Sequence, residues 1–298
     1  MITLKALVKR NTFLFFKDKG MFFTALITPL ILLVLYATFL SNVYEDTFRG
    51  IIEGMGFSVS DKIVGGCVGG QLMSSLLAVS CITVAFCSNL LSVQDKVSGA
   101  RKDIAVSPVK ASVLSLSYYI STFFSTLIIC VVALVACLLY MVNVGWYLSF
   151  TDIVLLILDV FLLSLFGTAL SSVVNYFLST QGQISAVGSI VSSCYGFICG
   201  AYMPISSFSE GLRNVLSFSP GTYATSLIRN HSLNGVFTEM ENINLPAELI
   251  NGIKDAVDCN IYFFDEKVSI SVMYAVIGVT ISILMVIYIL MNKIKKTA

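Results

Sequence analysis

The chain has 298 residues, of which 57% are hydrophobic and only 12% are charged, and its formal net charge at pH 7 is +1. Soluble globular domains carry roughly 25% charged residues, so this composition excludes a soluble protein and predicts one that resides in a lipid bilayer. No nucleic-acid partner is expected.

Residues 1–20 predict an amphipathic helix that lies at the membrane surface. Lys5, Lys9 and Thr12 fall on one side of this helix. The opposite side is an apolar stripe made of Leu4, Leu7, Val8, Leu14 and Phe15. A basic helix with such a stripe lies in the headgroup layer, so we expect an interface helix before the first crossing.

Six apolar runs are each long enough to cross a bilayer, which takes about 20 residues as a helix. None contains Lys or Arg, and none alternates apolar with polar residues as the strands of a membrane barrel do. The predicted fold is therefore an all-α integral membrane protein with six transmembrane helices. The runs are residues 21–43, 63–93, 112–142, 153–178, 183–203 and 269–291.

The basic residues predict that both termini and the loop at 92–111 are cytoplasmic. These segments hold twelve basic residues and three aspartates, whereas the opposite side holds six basic residues and twelve carboxylates. Basic residues are retained on the cytoplasmic side of a membrane. The twelve are Lys5, Lys9, Arg10, Lys17, Lys19, Lys96, Arg101, Lys102, Lys110, Lys293, Lys295 and Lys296.

The second run opens with GGCVGG, in which Gly65 and Gly69 stand four residues apart, as do Gly66 and Gly70. No GK[ST] follows, so this stretch is not a phosphate-binding loop. Glycines at this spacing let two helices approach closely within a membrane, and we expect the second crossing to be tightly packed.

The eight cysteines predict packing rather than a metal site or a disulfide. Seven lie inside the apolar runs, no CxxC pair occurs, and Cys259 has no partner in the outer segments. No metal or other cofactor is expected on this chain.

The fourth run carries two polar residues, Asp159 and, near its inner end, Asn175. An ionisable residue inside a membrane span indicates a functional role. We interpret both residues as structural or pore-lining, with Asp159 reaching water, Arg213 or Arg229. Proton or cation coupling by Asp159 is the alternative.

Residues 204–268 predict a re-entrant and extracellular region. Pro204 ends the fifth run and Pro220 interrupts the amphipathic stretch that follows, so residues 200–229 are expected to dip into the membrane and turn back. An amphipathic helix on the membrane surface is the alternative. Residues 230–268 are expected to form an outer loop with one amphipathic helix starting at Pro246. His231, the only histidine, is expected to be solvated in that loop.

The loop DKVSGARKDIAVSPVKA at 95–111 is too specific in composition for a simple connector. Gly99 permits a turn, residues 100–106 can form about two helical turns, and Pro108 ends them before the third run. A short helix held rigidly between two spans can transmit force.

This loop resembles that of the permease subunits of type-2 ATP-binding-cassette exporters, which typically reads acidic, Arg, acidic, any, Gly, Thr and ends in Ser-Pro-Val. Asp95, Lys96 and Gly99 match that pattern, whereas Val97 and Ala100 depart from it. Ser107, Pro108 and Val109 close the motif. A second stretch is similar to the family's fifth-span and re-entrant pattern at Gly200, Pro204, Pro220, Thr222, Tyr223 and Arg229.

The resemblance implies a single permease domain over residues 1–298 that pairs with a second permease chain, identical or related. A separate cytoplasmic ATPase would hold ATP and Mg²⁺, because no Walker A pattern GxxxxGK[ST] occurs in the chain. The cargo is expected to be amphipathic or hydrophobic, such as a drug, lipid or peptide. The implied coupling residues are Asp95, Lys96, Gly99, Arg101, Lys102, Ser107, Pro108 and Val109. The implied gate residues are Gly200, Pro204, Pro220, Tyr223 and Arg229.

Two other functions are alternatives to export. An intramembrane enzyme would need histidines or clustered carboxylates in the spans, and the sequence does not supply them. An ion-coupled secondary transporter using Asp159 is the stronger alternative. That class often contains inverted repeats, and none is evident between residues 21–142 and 153–291.

Overall fold

The computed structural model describes residues 2–264 and 266–294, and it is all-helical, with 83% helix. Lys295 and Lys296, which were counted among the cytoplasmic basic residues, lie outside the described residues. A two-stranded antiparallel hairpin, β1 (Tyr262–Phe263) and β2 (Glu266–Lys267), pairs Tyr262 with Lys267. The helices are α1 (Ile2–Lys17), α2 (Lys19–Leu35), α3 (Ser41–Gly54), α4 (Asp61–Val97), α5 (Ala100–Val106), α6 (Ala111–Val144), α7 (Phe150–Tyr176), α8 (Gln181–Ile198), α9 (Glu210–Leu216), α10 (Pro220–Asn242), α11 (Ala247–Ala256) and α12 (Ile270–Ile294).

The amphipathic N-terminal helix is confirmed as α1. Lys5 and Lys9 are exposed, whereas Phe15 is buried. Asp18 separates α1 from α2 because its side chain accepts a hydrogen bond from the Met21 backbone N–H at 3.1 Å and caps the new helix.

Within the described residues, five helical segments are long and apolar enough to cross a membrane by length and composition: Lys19–Gly54, α4, α6, α7 and residues 270–292 of α12. The first is longer than expected, because a π-helical turn at Tyr36–Leu40 joins α2 to α3 without a break. The fifth predicted run forms α8, whose 18 residues span about 27 Å. The helix ends before Gly200, which adopts a left-handed conformation with φ 73°. The count of six crossings stays a prediction.

Helix α4 lies at the centre of the bundle, where α2, α6, α7, α8 and α10 pack around it. The close approach predicted from its glycines is confirmed. A Cβ at Gly70 would lie 2.6 Å from Leu233 Cδ2 of α10, and one at Gly66 would lie 2.8 Å from Tyr147. No larger side chain fits there without displacing a neighbour.

The bundle has two ends, which we call the α5 end and the α11 end. The α5 end contains α1, the last turn of α4, the first turn of α6 and the last turns of α7 and α12, all joined by hydrogen bonds. The α11 end contains α3, α11 and the residue 145–149 connection. The charge distribution predicts that the α5 end is cytoplasmic.

The region after α8 differs in part from the sequence prediction. A 3₁₀ turn at Ile205–Ser207 and the short α9 precede α10, which continues unbroken to Asn242 and is largely buried. Residues 230–242, predicted as loop, are therefore helical. The amphipathic helix after Pro246 is confirmed as α11, with Leu249, Ile250 and Ile253 buried.

Candidate functional site

Helix α5 projects from the α5 end as an elbow between α4 and α6. Gly99 adopts φ 85° immediately before it, a left-handed conformation that favours glycine. The Gly99 carbonyl accepts hydrogen bonds from the backbone N–H groups of Lys102 and Asp103, at 2.8 and 3.2 Å. The helix stops at Val106, and Pro108 follows. The two predicted turns of helix are confirmed.

The outward side of the elbow is exposed and of mixed chemistry. Lys102 and Asp103 bring opposite charges, and the Val106 side chain is 89% exposed at the tip. Ser107 and Pro108 are exposed, whereas Arg101 and Val109 are partly buried. An apolar side chain exposed on this short helix, next to charges of both signs, is available to contact a second protein.

Asp95 does not belong to this exposed surface, because it faces α1 and α6. Its carboxylate lies 2.8 Å from Arg10 Nη1 and accepts a 2.5 Å hydrogen bond from the Tyr118 hydroxyl. Asn11 donates to Ser117 Oγ at 3.3 Å beside this pair. The hydrogen bond to Asp95 raises the pKa of Arg10 above its ordinary value.

Lys96 also faces the chain itself. Its ammonium donates to the backbone carbonyls of Asn175, Tyr176 and Leu178, at 3.0, 2.9 and 3.3 Å. These groups lie at the carboxyl end of α7, where a helix presents unpaired carbonyls and a partial negative charge. Asp95 and Lys96 therefore fasten the base of the elbow to α1, α6 and α7.

We expect Asp95→Asn to loosen the elbow without unfolding the bundle. The substitution removes a charged hydrogen-bond acceptor, and amides 98–106 should exchange with deuterium about tenfold faster. Hydrogen–deuterium exchange with mass spectrometry measures this directly. Asp103→Asn, an exposed site on α5, is the matched control and should leave the exchange unchanged. Equal exchange in both variants would contradict the fastening role of Asp95.

A buried polar cluster joins α7, α10 and α12. Asp159 is fully buried, its Oδ2 lies 2.6 Å from His231 Nδ1, and its Oδ1 accepts a 2.8 Å hydrogen bond from the Tyr274 hydroxyl. The prediction that His231 is a solvated loop residue is wrong, because it lies on α10 and is 7% exposed. The expected contact of Asp159 with Arg213 or Arg229 is also wrong.

Arg229 instead connects α10 to the chain that follows α8. It is 1% exposed, its Nη1 lies 3.2 Å from Asp258 Oδ2, and its Nη2 donates to the Gly200 carbonyl. Asp258 also accepts from the backbone N–H of Ile205 at 2.5 Å and of Ser206 at 3.1 Å. Two of the predicted gate residues, Gly200 and Arg229, therefore meet in one buried network.

The other predicted gate residues shape the turn between α9 and α10. Pro220 occupies the first turn of α10, where proline's missing N–H costs no helical hydrogen bond. The Tyr223 hydroxyl donates to the Ser217 carbonyl at 2.5 Å, and Pro204 directly precedes the 3₁₀ turn. Asn175 is 1% exposed within the single chain, and its assignment to a pore stays a prediction.

Comparison with known protein families matches residues 3–231 to the family described as ABC-2 type transporter. The matched region extends from α1 into α10 and includes α5, Asp95 and Arg229. A search of curated proteins gives no significant match.

Proposed function

Since the chain belongs to the ABC-2 type transporter family, we propose that it is the membrane subunit of an exporter that a separate cytoplasmic ATPase drives through α5. Family membership makes it a multi-pass transmembrane subunit of an ABC transporter. The direction of transport, the ATPase contact and the cargo are our proposal. The cargo is an amphipathic or hydrophobic molecule, such as a drug, lipid or peptide.

The observation that carries this proposal is the way α5 is mounted. An exposed two-turn helix transmits a force to the rest of the protein only if its base is held in place. Asp95 and Lys96 connect that base to three other helices. Motion of α5 then moves α4, the central helix of the bundle, together with α1, α6 and α7. Such a rigid-body shift is how packed helices transmit a conformational change.

ATP and Mg²⁺ bind to the partner ATPase in this proposal. The present chain contributes the docking surface made of Arg101, Lys102, Asp103 and Val106, with Ser107 and Pro108 at its edge. Closure of an ATPase dimer around ATP would press on that surface.

The proposed exporter contains two permease chains. We assign the exposed side of α8 to the contact between them. Most of α8 is exposed within the single chain, and its exposed side includes Gly182, Ser185, Ser189 and Ser193. Large apolar side chains are also exposed on α8, at Ile190, Phe197 and Ile198, as they are at Val132 of α6 and Ile289 of α12. Small and hydroxyl-bearing residues favour close helix–helix contact in a membrane rather than contact with lipid.

Ser189→Cys should therefore cross-link two copies in membranes under mild oxidation, in a variant whose exposed Cys194 is replaced by serine. Val132→Cys, on a lipid-facing side of α6, should remain monomeric under the same treatment. Non-reducing gel electrophoresis gives the result. Cross-linking at Val132 but not at Ser189 would show that α8 faces lipid instead.

A vesicle transport assay tests the proposed function as a whole. The chain and its ATPase are present together in inside-out vesicles, and uptake of the cargo is measured under two conditions. Inactivating the ATPase nucleotide site should abolish uptake, whereas collapsing the proton and sodium gradients should leave it unchanged. The opposite pattern would contradict ATP-driven export.

The buried Asp159–His231–Tyr274 cluster favours one second candidate, an ion-coupled secondary transporter. Asp159→Asn keeps an acceptor for Tyr274 but removes the carboxylate. Under our proposal the ATP-driven transport rate should stay within about threefold of the parent chain, since the group only fastens α7 to α10 and α12. Loss of gradient-driven transport, with an unchanged thermal unfolding midpoint, would support the ion-coupled alternative.

A further inference from the structure

We propose that a cleft between α6 and α12, at the α5 end, binds an anionic phospholipid. The cleft has a volume of about 280 Å³. Leu116 and Tyr119 of α6 and Met285 and Ile289 of α12 line it, together with Lys110, which precedes α6. This inference rests on the chain spanning a membrane and is independent of the ATPase contact.

The cleft is a fixed notch rather than a gap between loose helices. The Ser115 hydroxyl donates to Asn292 Oδ1 at 2.7 Å, and the Tyr288 hydroxyl donates to the Ser115 carbonyl at 3.2 Å. The Asn292 amide in turn donates to the Tyr288 carbonyl at 2.7 Å. The first two bonds join α6 to α12 at the notch and the third fixes Asn292 on α12, so the shape of the notch is present before any ligand arrives.

The walls of the notch suit an acyl chain. Leu116 is 43% exposed and Ile289 is 50% exposed, and both lie on the outside of the bundle. In a membrane-spanning chain, apolar side chains exposed on the outside contact hydrocarbon. A lipid chain lying between them buries this apolar surface.

The charges around the notch favour an anionic headgroup. Lys110 is exposed and lines the cleft. No carboxylate of the described residues lines the cleft. Basic pockets between helices near the membrane surface bind anionic headgroups, whereas a choline headgroup would place another cation beside Lys110.

Tyr119 adds a hydrogen-bonding group that the chain does not use. The residue is 6% exposed, and its hydroxyl has no hydrogen-bond partner within residues 2–264 and 266–294. Side chains of a helix point back toward its amino end, so the phenol is directed toward the Lys110 end of the notch. A phosphate or ester oxygen of a lipid seated there would accept from it.

Quenching of a single tryptophan by brominated lipids tests this inference. The chain's one tryptophan, Trp146, lies at the α11 end and is replaced by phenylalanine, and Leu116→Trp places the reporter in the cleft. The protein is reconstituted in phosphatidylcholine vesicles that contain either brominated phosphatidylglycerol or brominated phosphatidylcholine. Phosphatidylglycerol should be preferred by roughly fivefold, the selectivity that one lysine near a membrane surface provides.

Lys110→Gln should abolish this preference, and Tyr119→Phe should reduce it. Lys9→Gln removes one exposed positive charge from α1 at the same end and should preserve it. Soluble glycerol phosphate should not relieve the quenching, because the acyl chain contributes to binding; relief would indicate a soluble phosphate site instead. An equal preference in the parent and the Lys110→Gln chain, or no preference in the parent, would overturn the proposal.

Discussion

Arg229→Met is expected to lower the free energy of unfolding by about 3–5 kcal/mol, because it leaves the buried Asp258 carboxylate without its cation. The substitution also removes the donor to the Gly200 carbonyl, so α10 loses its connection to the chain after α8. The thermal unfolding midpoint in detergent should fall by about 10 °C.

Arg213→Met is the matched control for this prediction. Arg213 lies on α9 near the same network, but it is only partly buried, so its loss should change stability by no more than about 0.5 kcal/mol. Differential scanning fluorimetry compares the two variants with the parent chain. Similar midpoints for Arg229→Met and Arg213→Met would show that the buried pair does not fasten α10.

Reversing the charges of Arg101 and Lys102 is expected to abolish stimulation of the partner ATPase. The double variant Arg101→Glu, Lys102→Glu puts two carboxylates where the elbow presents two cations. The reversal removes the charge complementarity of the proposed contact, and mismatched charges at an interface cost several kcal/mol, so stimulation should fall more than tenfold. ATP turnover is measured with the two proteins co-reconstituted in vesicles.

The control for this prediction is Lys5→Glu, Lys9→Glu, which changes the net charge of the same end equally. Both lysines are exposed on α1 and do not belong to the proposed docking surface. This variant should retain most of the stimulation, and both variants should keep the unfolding midpoint of the parent. Normal stimulation by the elbow variant would contradict its contact with the ATPase.

Local patterns were sufficient to predict the elements at the α5 end. The two-turn helix between Gly99 and Pro108, the amphipathic α1 and the glycines of α4 each depend on a few neighbouring residues, and each is confirmed. The helix after Pro246 follows from the same kind of local signal. These features determine where the proposed docking surface lies.

The sequence patterns could not predict contacts between side chains that are far apart in the chain. Asp159 meets residues 72 and 115 positions away, and Asp95 meets Arg10 85 positions away. No local periodicity encodes which polar residue of one helix faces which residue of another. The family resemblance therefore implied a coupling role for Asp95 and Lys96 without giving their partners, which lie on α1, α6 and α7.

The helical structure of residues 230–242 could have been predicted from the sequence. No proline or paired glycine interrupts the chain between Pro220 and Pro246, so a helix that begins at Pro220 has no reason to stop at Arg229. Polar side chains made this stretch resemble an outer loop. Two of these polar residues, His231 and Asn234, bind partners on α7 inside the bundle.

Site-specific photo-cross-linking at Val106 tests the central claim most directly. A photoreactive amino acid replaces Val106 at the exposed tip of α5, and Phe57, at the opposite end of the bundle, is replaced in a parallel chain. With the ATPase present in native membranes, irradiation should cross-link the chain to it from position 106 and not from position 57. A cross-link from position 57 alone, or none from position 106 in a complex that transports cargo, would contradict coupling through α5.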